Sequence, residues 1–206
     1  MNEKSYLKPE INFPIKTNTM SLFKVEKDTN FEGPHQATDV IEGGVPAAEA
    51  DAAMIMIHGR GASAQSIIQL AGEFDVHKKL TLRAPQAQGF TWYPNSFLQP
   101  SEKNEPGISS GLQKIFDIIQ SLKEEGISEE DIFILGFSQG ACLASEFVAR
   151  HPQKYGGLIA LSGGLIGHGN TVNPNDYSGN LDDTPVFLGC SDIDPHIPKE
   201  RVNETE

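Results

Sequence analysis

The chain has 206 residues, 38% of them hydrophobic and 21% charged, with a net charge of −12. That length suits one domain with a sizeable core. The acidic balance excludes the electrostatic footprint of a nucleic-acid binder and works against anionic membranes.

Residues 1–19 are polar, contain two prolines and lack the apolar stretch of a signal peptide, so they read as an extension ahead of a domain over 20–206. No run of 18 apolar residues occurs, which argues against integral membrane association. Cys142 and Cys190 have no metal-type spacing and read as reduced thiols. A cytoplasmic location is the resulting expectation.

In chain order, 21–27 (SLFKVEK) and 36–42 (QATDVIE) are expected to pair as antiparallel strands. Five short apolar runs follow: AAMIMI (52–57), KLTLRA (79–84), DIFILGF (131–137), GLIALS (157–162) and TPVFLG (184–189). They are continuous rather than alternating, as strands buried on both faces of a parallel sheet would be. Helices are predicted over 63–74, 107–125 and 139–150. The second is the clearest, because Ile108, Leu112, Ile115, Phe116, Ile119 and Leu122 recur at helical spacing and Gly126 follows. Strand–helix alternation of this kind predicts an α/β fold with a mostly parallel sheet and helices on both faces. Two long loops rich in Gly, Pro and Asn, 86–107 and 163–183, are candidates for function.

The chemistry concentrates at Gly136-Phe137-Ser138-Gln139-Gly140, where a strand runs straight into a helix through G-x-S-x-G. A serine there sits on a sharp turn with its hydroxyl clear of the sheet edge, and the Gln139 N–H points at a developing oxyanion. A second backbone donor is needed from the loop after an earlier strand, and His58-Gly59-Arg60-Gly61-Ala62 follows AAMIMI. Arg60 would supply that N–H, while its side chain is a candidate to meet an anionic group on a substrate. One such donor is typically worth ~2.7–4 kcal/mol of transition-state stabilisation. Chain order in this architecture is serine, acid, histidine, so a carboxylate after TPVFLG is expected, either Asp192 or Asp194.

Taken together, HGRGA (58–62), RAPQAQGFTWYPN (83–95), GFSQGACLA (136–144) and LSGGL (161–165) resemble the phospholipase/carboxylesterase family of α/β-hydrolases, which includes acyl-protein thioesterases and small bacterial carboxylesterases. The resemblance runs from about residue 50 to 198. It implies an α/β-hydrolase fold and a serine hydrolase acting on a small-molecule carboxylic ester through an acyl-enzyme on Ser138, without a cofactor. It also implies an oxyanion hole from Arg60 and Gln139, the acid at Asp194 in preference to Asp192, and an acyl site lined by Trp92 and Tyr93. Core packing is the alternative role for Trp92.

The triad histidine is then expected on a loop after one more helix and strand, but only twelve residues follow Asp194. The expectation is a catalytic histidine beyond Glu206, and a sheet lacking its last strand and helix. Among the histidines present, His58 belongs to the oxyanion loop, His151 suits a helix cap, and His35 and His77 have no motif context. His168 and His196 stand nearer the expected site in principle. Asp192, Asp194 and His196 lie too close along one loop, with no distant partner, to make a metal site. Two consequences are expected: an exposed edge at TPVFLG that favours self-association, and, as the alternative to an esterase, a catalytically silent fold that binds a ligand or partner.

Overall fold

The structure is a computed structural model that describes Phe23 and residues 31–206. Among the described residues six strands form one sheet: β1 (Val40–Gly44), β2 (Ala52–Ile57), β3 (Leu80–Pro85), β4 (Ile132–Phe137), β5 (Gly157–Leu161) and β6 (Val186–Gly189). Their order is β1-β3-β2-β4-β5-β6, with β1 antiparallel to β3 and every other pairing parallel.

The all-apolar run of β2 follows from its central place. Ala53, Ile55 and Ile57 face one core with Leu112, Ile115 and Phe147, whereas Met54 and Met56 face a second core with Ile67, Leu82 and Leu135. Successive side chains point to opposite faces, so a strand covered on both sides needs an apolar residue at every position. The first core is built by α2 (Gly107–Glu124) and α3 (Gln139–Arg150), the second by α1 (Ala64–Ile68). A short α4 (Lys199–Thr205) follows β6.

Ile108, Leu112, Ile115, Ile119 and Leu122 are fully buried along α2, while Phe116 is half-buried at the margin of the stripe. Gly126 ends the helix at φ 95°, and the Ile127 N–H closes back on the Leu122 carbonyl at 2.9 Å. The 63–74 helix is shorter than its pattern suggests. Ser63 and Ser66 cap each other to start it, but Gln69–Glu73 tightens into a 3₁₀ turn around Gly72.

Two expectations need amending. β1 takes up the end of the 36–42 segment, but its partner is β3, with Val40 opposite Pro85 and Gly44 opposite Thr81. Of the proposed partner 21–27, only Phe23 lies within the described residues, as does nothing of 1–19. β6 is the edge strand expected of TPVFLG, but it is not buried on both faces: its Val186 and Phe187 are 46% and 58% exposed.

Candidate active site

β4 delivers Ser138 at φ 53°, ψ −118°, a left-handed conformation that a residue with a Cβ rarely adopts. The surroundings enforce it. The Ser138 N–H donates to the Leu161 carbonyl at the end of β5 (2.8 Å), and its own carbonyl accepts the Ala141 and Cys142 N–H groups that open α3 (2.9 and 3.0 Å). Gly136 and Gly140 allow the close approach this turn requires. A Cβ on Gly136 would lie 2.3 Å from the Gly140 carbonyl oxygen, and one on Gly140 would lie 2.2 Å from that of Ile57.

The loop after β2 packs directly on the serine. A Cβ on Gly59 would sit 3.3 Å from the Ser138 Cβ, and Gly61 takes φ 76°. His58 holds this loop in place. Its Nε2 accepts the Ala87 N–H (3.0 Å), so Nδ1 carries the proton and donates to the Gly59 carbonyl (2.7 Å). The Gly61 N–H donates to Phe90 O and the Ala62 N–H to Gly59 O. Among the described residues, neither the Arg60 N–H nor the Gln139 N–H donates to any protein acceptor. Arg60 and Gln139 line the same cleft as Ser138.

The side chains of those same two residues staple the 91–95 segment over the elbow. Gln139 accepts the Trp92 N–H (2.9 Å) and the Thr91 hydroxyl (3.2 Å) through Oε1 and donates to the Tyr93 carbonyl (2.8 Å). Arg60 donates to the carbonyls of Pro94 (2.8 Å) and Asn95 (2.6 Å). Its guanidinium was a candidate to meet a substrate anion; instead it is engaged with this loop. Trp92 is fully buried behind the cleft wall, with its ring against His35 and His58 and its Nε1–H donating to the His58 carbonyl (2.9 Å). Tyr93 reaches the cleft itself, a space of about 450 Å³ that also meets Ser138, Phe97, Cys142 and Ile197. Burial pushes the Cys142 thiol up to about 11, so it serves as an apolar wall.

Asp194 lies on the loop after β6. Its Oδ1 accepts the N–H groups of His196 (2.8 Å) and Ile197 (3.0 Å), which line the cleft, and these two bonds hold the carboxyl below the usual carboxylate range. Asp192 is exposed. His151 caps the end of α3 against the Phe147 ring, and His168 faces Asp176 at 3.4 Å, both away from the cleft. Among the described residues, His196 is the one histidine lining the cleft, and no imidazole hydrogen-bonds to the Ser138 hydroxyl or the Asp194 carboxylate. The stapling roles of the Gln139 and Arg60 side chains had no signal in the sequence, because their partners are mostly backbone atoms more than thirty residues away.

His35 and His58 both stay neutral by burial, which holds each below the ordinary value of 6.5. A folded-state value below the unfolded one means the unfolded chain takes up protons first as pH falls. Stability is therefore fully present above about pH 6.5 and declines as pH falls through the depressed values, by at most ~1.4 kcal/mol per pH unit for each histidine. Thermal midpoints between pH 7.5 and 5 should fall, and H58N should flatten the curve; a wild-type midpoint constant over that range would contradict the assignment.

A family model described as phospholipase/carboxylesterase matches residues 38–206. The chain is 42% identical over 92 residues to acyl-protein thioesterase 1 of Kluyveromyces lactis, a stretch covering 45% of this chain and 40% of that protein. It is 36% identical over 104 residues to acyl-protein thioesterase 1 of Saccharomyces cerevisiae, covering 48% of this chain and 42% of that protein. The matched stretches thus span less than half the length of these two relatives. The crystal structure of a phospholipase/carboxylesterase from Dyadobacter fermentans matches with a TM-score of 0.78 at 39% identity, over 82% of this chain and 79% of that one.

Proposed function

Since this chain belongs to the phospholipase/carboxylesterase family, we propose that it is a serine hydrolase that cleaves carboxylic esters through an acyl-enzyme on Ser138, with no cofactor. The observation that carries this reading is the strained Ser138 in a cleft it shares with Arg60 and Gln139, whose N–H groups have no acceptor among the described residues. In the proposed reaction Ser138 Oγ forms a bond to the ester carbonyl carbon while a base takes the hydroxyl proton. The carbonyl oxygen gains the negative charge and is met by the two N–H donors. Collapse expels the alcohol, which takes up the proton, and water then releases the acyl group by the same steps. Asp194 is the acid that orients the base. Two backbone N–H groups hold its carboxylate below the ordinary carboxylate range, which favours the charged form.

Tyr93, Phe97 and Ile197 supply the acyl wall, with Trp92 supporting it from behind. A space of this size suits short or medium acyl chains. A fluorophosphonate probe is expected to label the wild type at Ser138, and S138A is expected to stay unlabelled. A wild-type chain that resists labelling under conditions where it is folded would overturn the proposal. Among p-nitrophenyl esters, butyrate and octanoate should be turned over ahead of palmitate.

The same proposal places the protein in the cytoplasm, supported by its two free cysteines. Among the described residues no helix is long and apolar enough to cross a membrane. It further includes self-association of two copies through β6, whose edge is unpaired and exposes Phe187 beside an apolar groove formed with Val148, Leu158 and Val202. Size-exclusion chromatography should show a concentration-dependent larger species that F187K removes; a monomer at all concentrations would exclude this part.

A further inference from the structure

Two buried charges outside the cleft grip one loop from opposite sides. On α4, Arg201 is 2% exposed, and it donates to the carbonyls of Leu165 (2.7 Å), Ile166 (3.0 Å) and Gly169 (2.8 Å). Thr205, one turn on, accepts the Leu165 N–H (2.9 Å) and donates to the Arg201 carbonyl (2.7 Å). On α3, Glu146 accepts the Ile166 and Gly167 N–H groups (2.8 and 3.2 Å). Three carbonyls and three N–H groups of residues 165–169 are thereby held by two helices.

The consequence for the site follows from chain distance. Helix α4 begins at Lys199, two residues after Ile197, whose N–H is one of the two that bind the Asp194 carboxylate. A seven-residue helix has little stability of its own, and its N-cap Pro198 makes no side-chain capping bond. Arg201 and Thr205 therefore supply its anchorage. The Arg201 guanidinium also lies 5.2 Å from the Phe97 ring, which lines the acyl cleft.

We infer that Arg201 is a positioning residue: by pinning α4 to the 165–169 loop it sets where the Asp194 carboxylate and the Phe97 wall stand relative to Ser138. The inference rests on the proposed role of Asp194, but its geometry can be tested without catalysis. The groups facing that carboxylate are the N–H groups of His196 and Ile197, the Cys190 thiol at 3.9 Å, the Ser162 hydroxyl and the His196 ring. None of them is on α4, so a change at Arg201 reaches Asp194 only through the loop.

The experiment is an NMR titration of the Asp194 side-chain carboxyl in the full chain, alongside thermal unfolding. R201M is expected to lower the melting temperature and to move the Asp194 midpoint upward as its two backbone donors drift. R201K, which cannot reach all three carbonyls from one ammonium, should fall between. R83M removes another buried arginine, on β3 and paired with Glu125, and should lower the melting temperature without moving the Asp194 midpoint. If R201M does not fold, T205V gives the same readout in milder form. A midpoint unchanged in both R201M, where folded, and T205V would overturn the inference and leave Arg201 a structural residue only. Loss of Ser138 labelling in the wild type with the midpoint shift intact would instead overturn the proposed chemistry while the positioning contact stands.

Discussion

Replacing Glu146 with leucine is expected to lower the unfolding free energy by roughly 3–5 kcal/mol, the range for breaking a buried ion pair from one side. Glu146 has no exposed surface and accepts from Arg150 Nε (2.5 Å), two backbone N–H groups of the 165–167 loop and the Tyr177 hydroxyl. Removing the carboxylate strands four donors at once. It also leaves the Arg150 guanidinium, whose Nη2 already has no partner, lying only over the rings of Phe23 and Tyr177. An isosteric apolar side chain recovers some dispersion but none of that hydrogen bonding. The charge argument makes a second, sharper expectation: E146L/R150M should be less destabilised than E146L alone, because the unpaired cation is then gone. Urea midpoints for the two single variants and the double close the cycle. A loss under 1 kcal/mol for E146L, or a double variant worse than the sum of the singles, would show that the carboxylate does not hold this loop.

Glu146 also marks where legibility in the sequence ends. β2, β3, β4, β5 and the helix after Ser138 were readable because burial on two faces demands a long apolar run, and that demand is local. The elbow was readable because Gly136 and Gly140 are imposed by contacts with residues that the chain itself places there. A glutamate between Ser145 and Phe147, or an arginine in KERV, carries no comparable mark. Its burial depends on which loop folds over it, and the partners of Arg201 are mainly backbone groups, as are two of the four of Glu146, which any sequence would offer. For the same reason, Trp92 could be assigned to the cleft loop, but the choice between acyl wall and core packing needed the fold. β6 shows the converse limit: its edge position was expected, but PVFLG reads like the doubly buried strands, since an apolar run does not say how much of each face will be covered. β1, with its short VIEGG and alternating exposure, paired with β3 through a non-local contact that its own residues do not specify. The staples from Gln139 and Arg60 are the sharpest case. The backbone roles expected of these two residues came from their place in the motif, whereas their side-chain roles came only from the fold.

The second large effect is expected at the elbow, from Gly140→Ala. The added carbon would meet the Ile57 carbonyl oxygen at 2.2 Å and that of His58 at 2.6 Å. Both atoms are backbone, at the end of β2 and the residue after it, so no side chain can rotate away to make room. Overpacking of this kind costs about 1–3 kcal/mol when neighbours yield, and a clash with two main-chain oxygens places this variant at the top of that range. Relief requires α3 to move off β2, and that movement separates the two N–H groups beside Ser138, because Gln139 travels with α3 and Arg60 with the loop after β2. A shift of about 1 Å between groups that must act together is enough to lower reactivity roughly 10²-fold. Fluorophosphonate labelling of Ser138 in G140A should therefore slow by that order even at temperatures where circular dichroism shows the variant folded. Gly72→Ala is the matched control, since a Cβ there meets nothing within 4 Å and Gly72 keeps a negative φ; it should be neutral or gain up to about 1 kcal/mol. If G140A keeps wild-type labelling and stability, the elbow is looser than its contacts require, and the strain at Ser138 cannot be what presents its hydroxyl to the two donors.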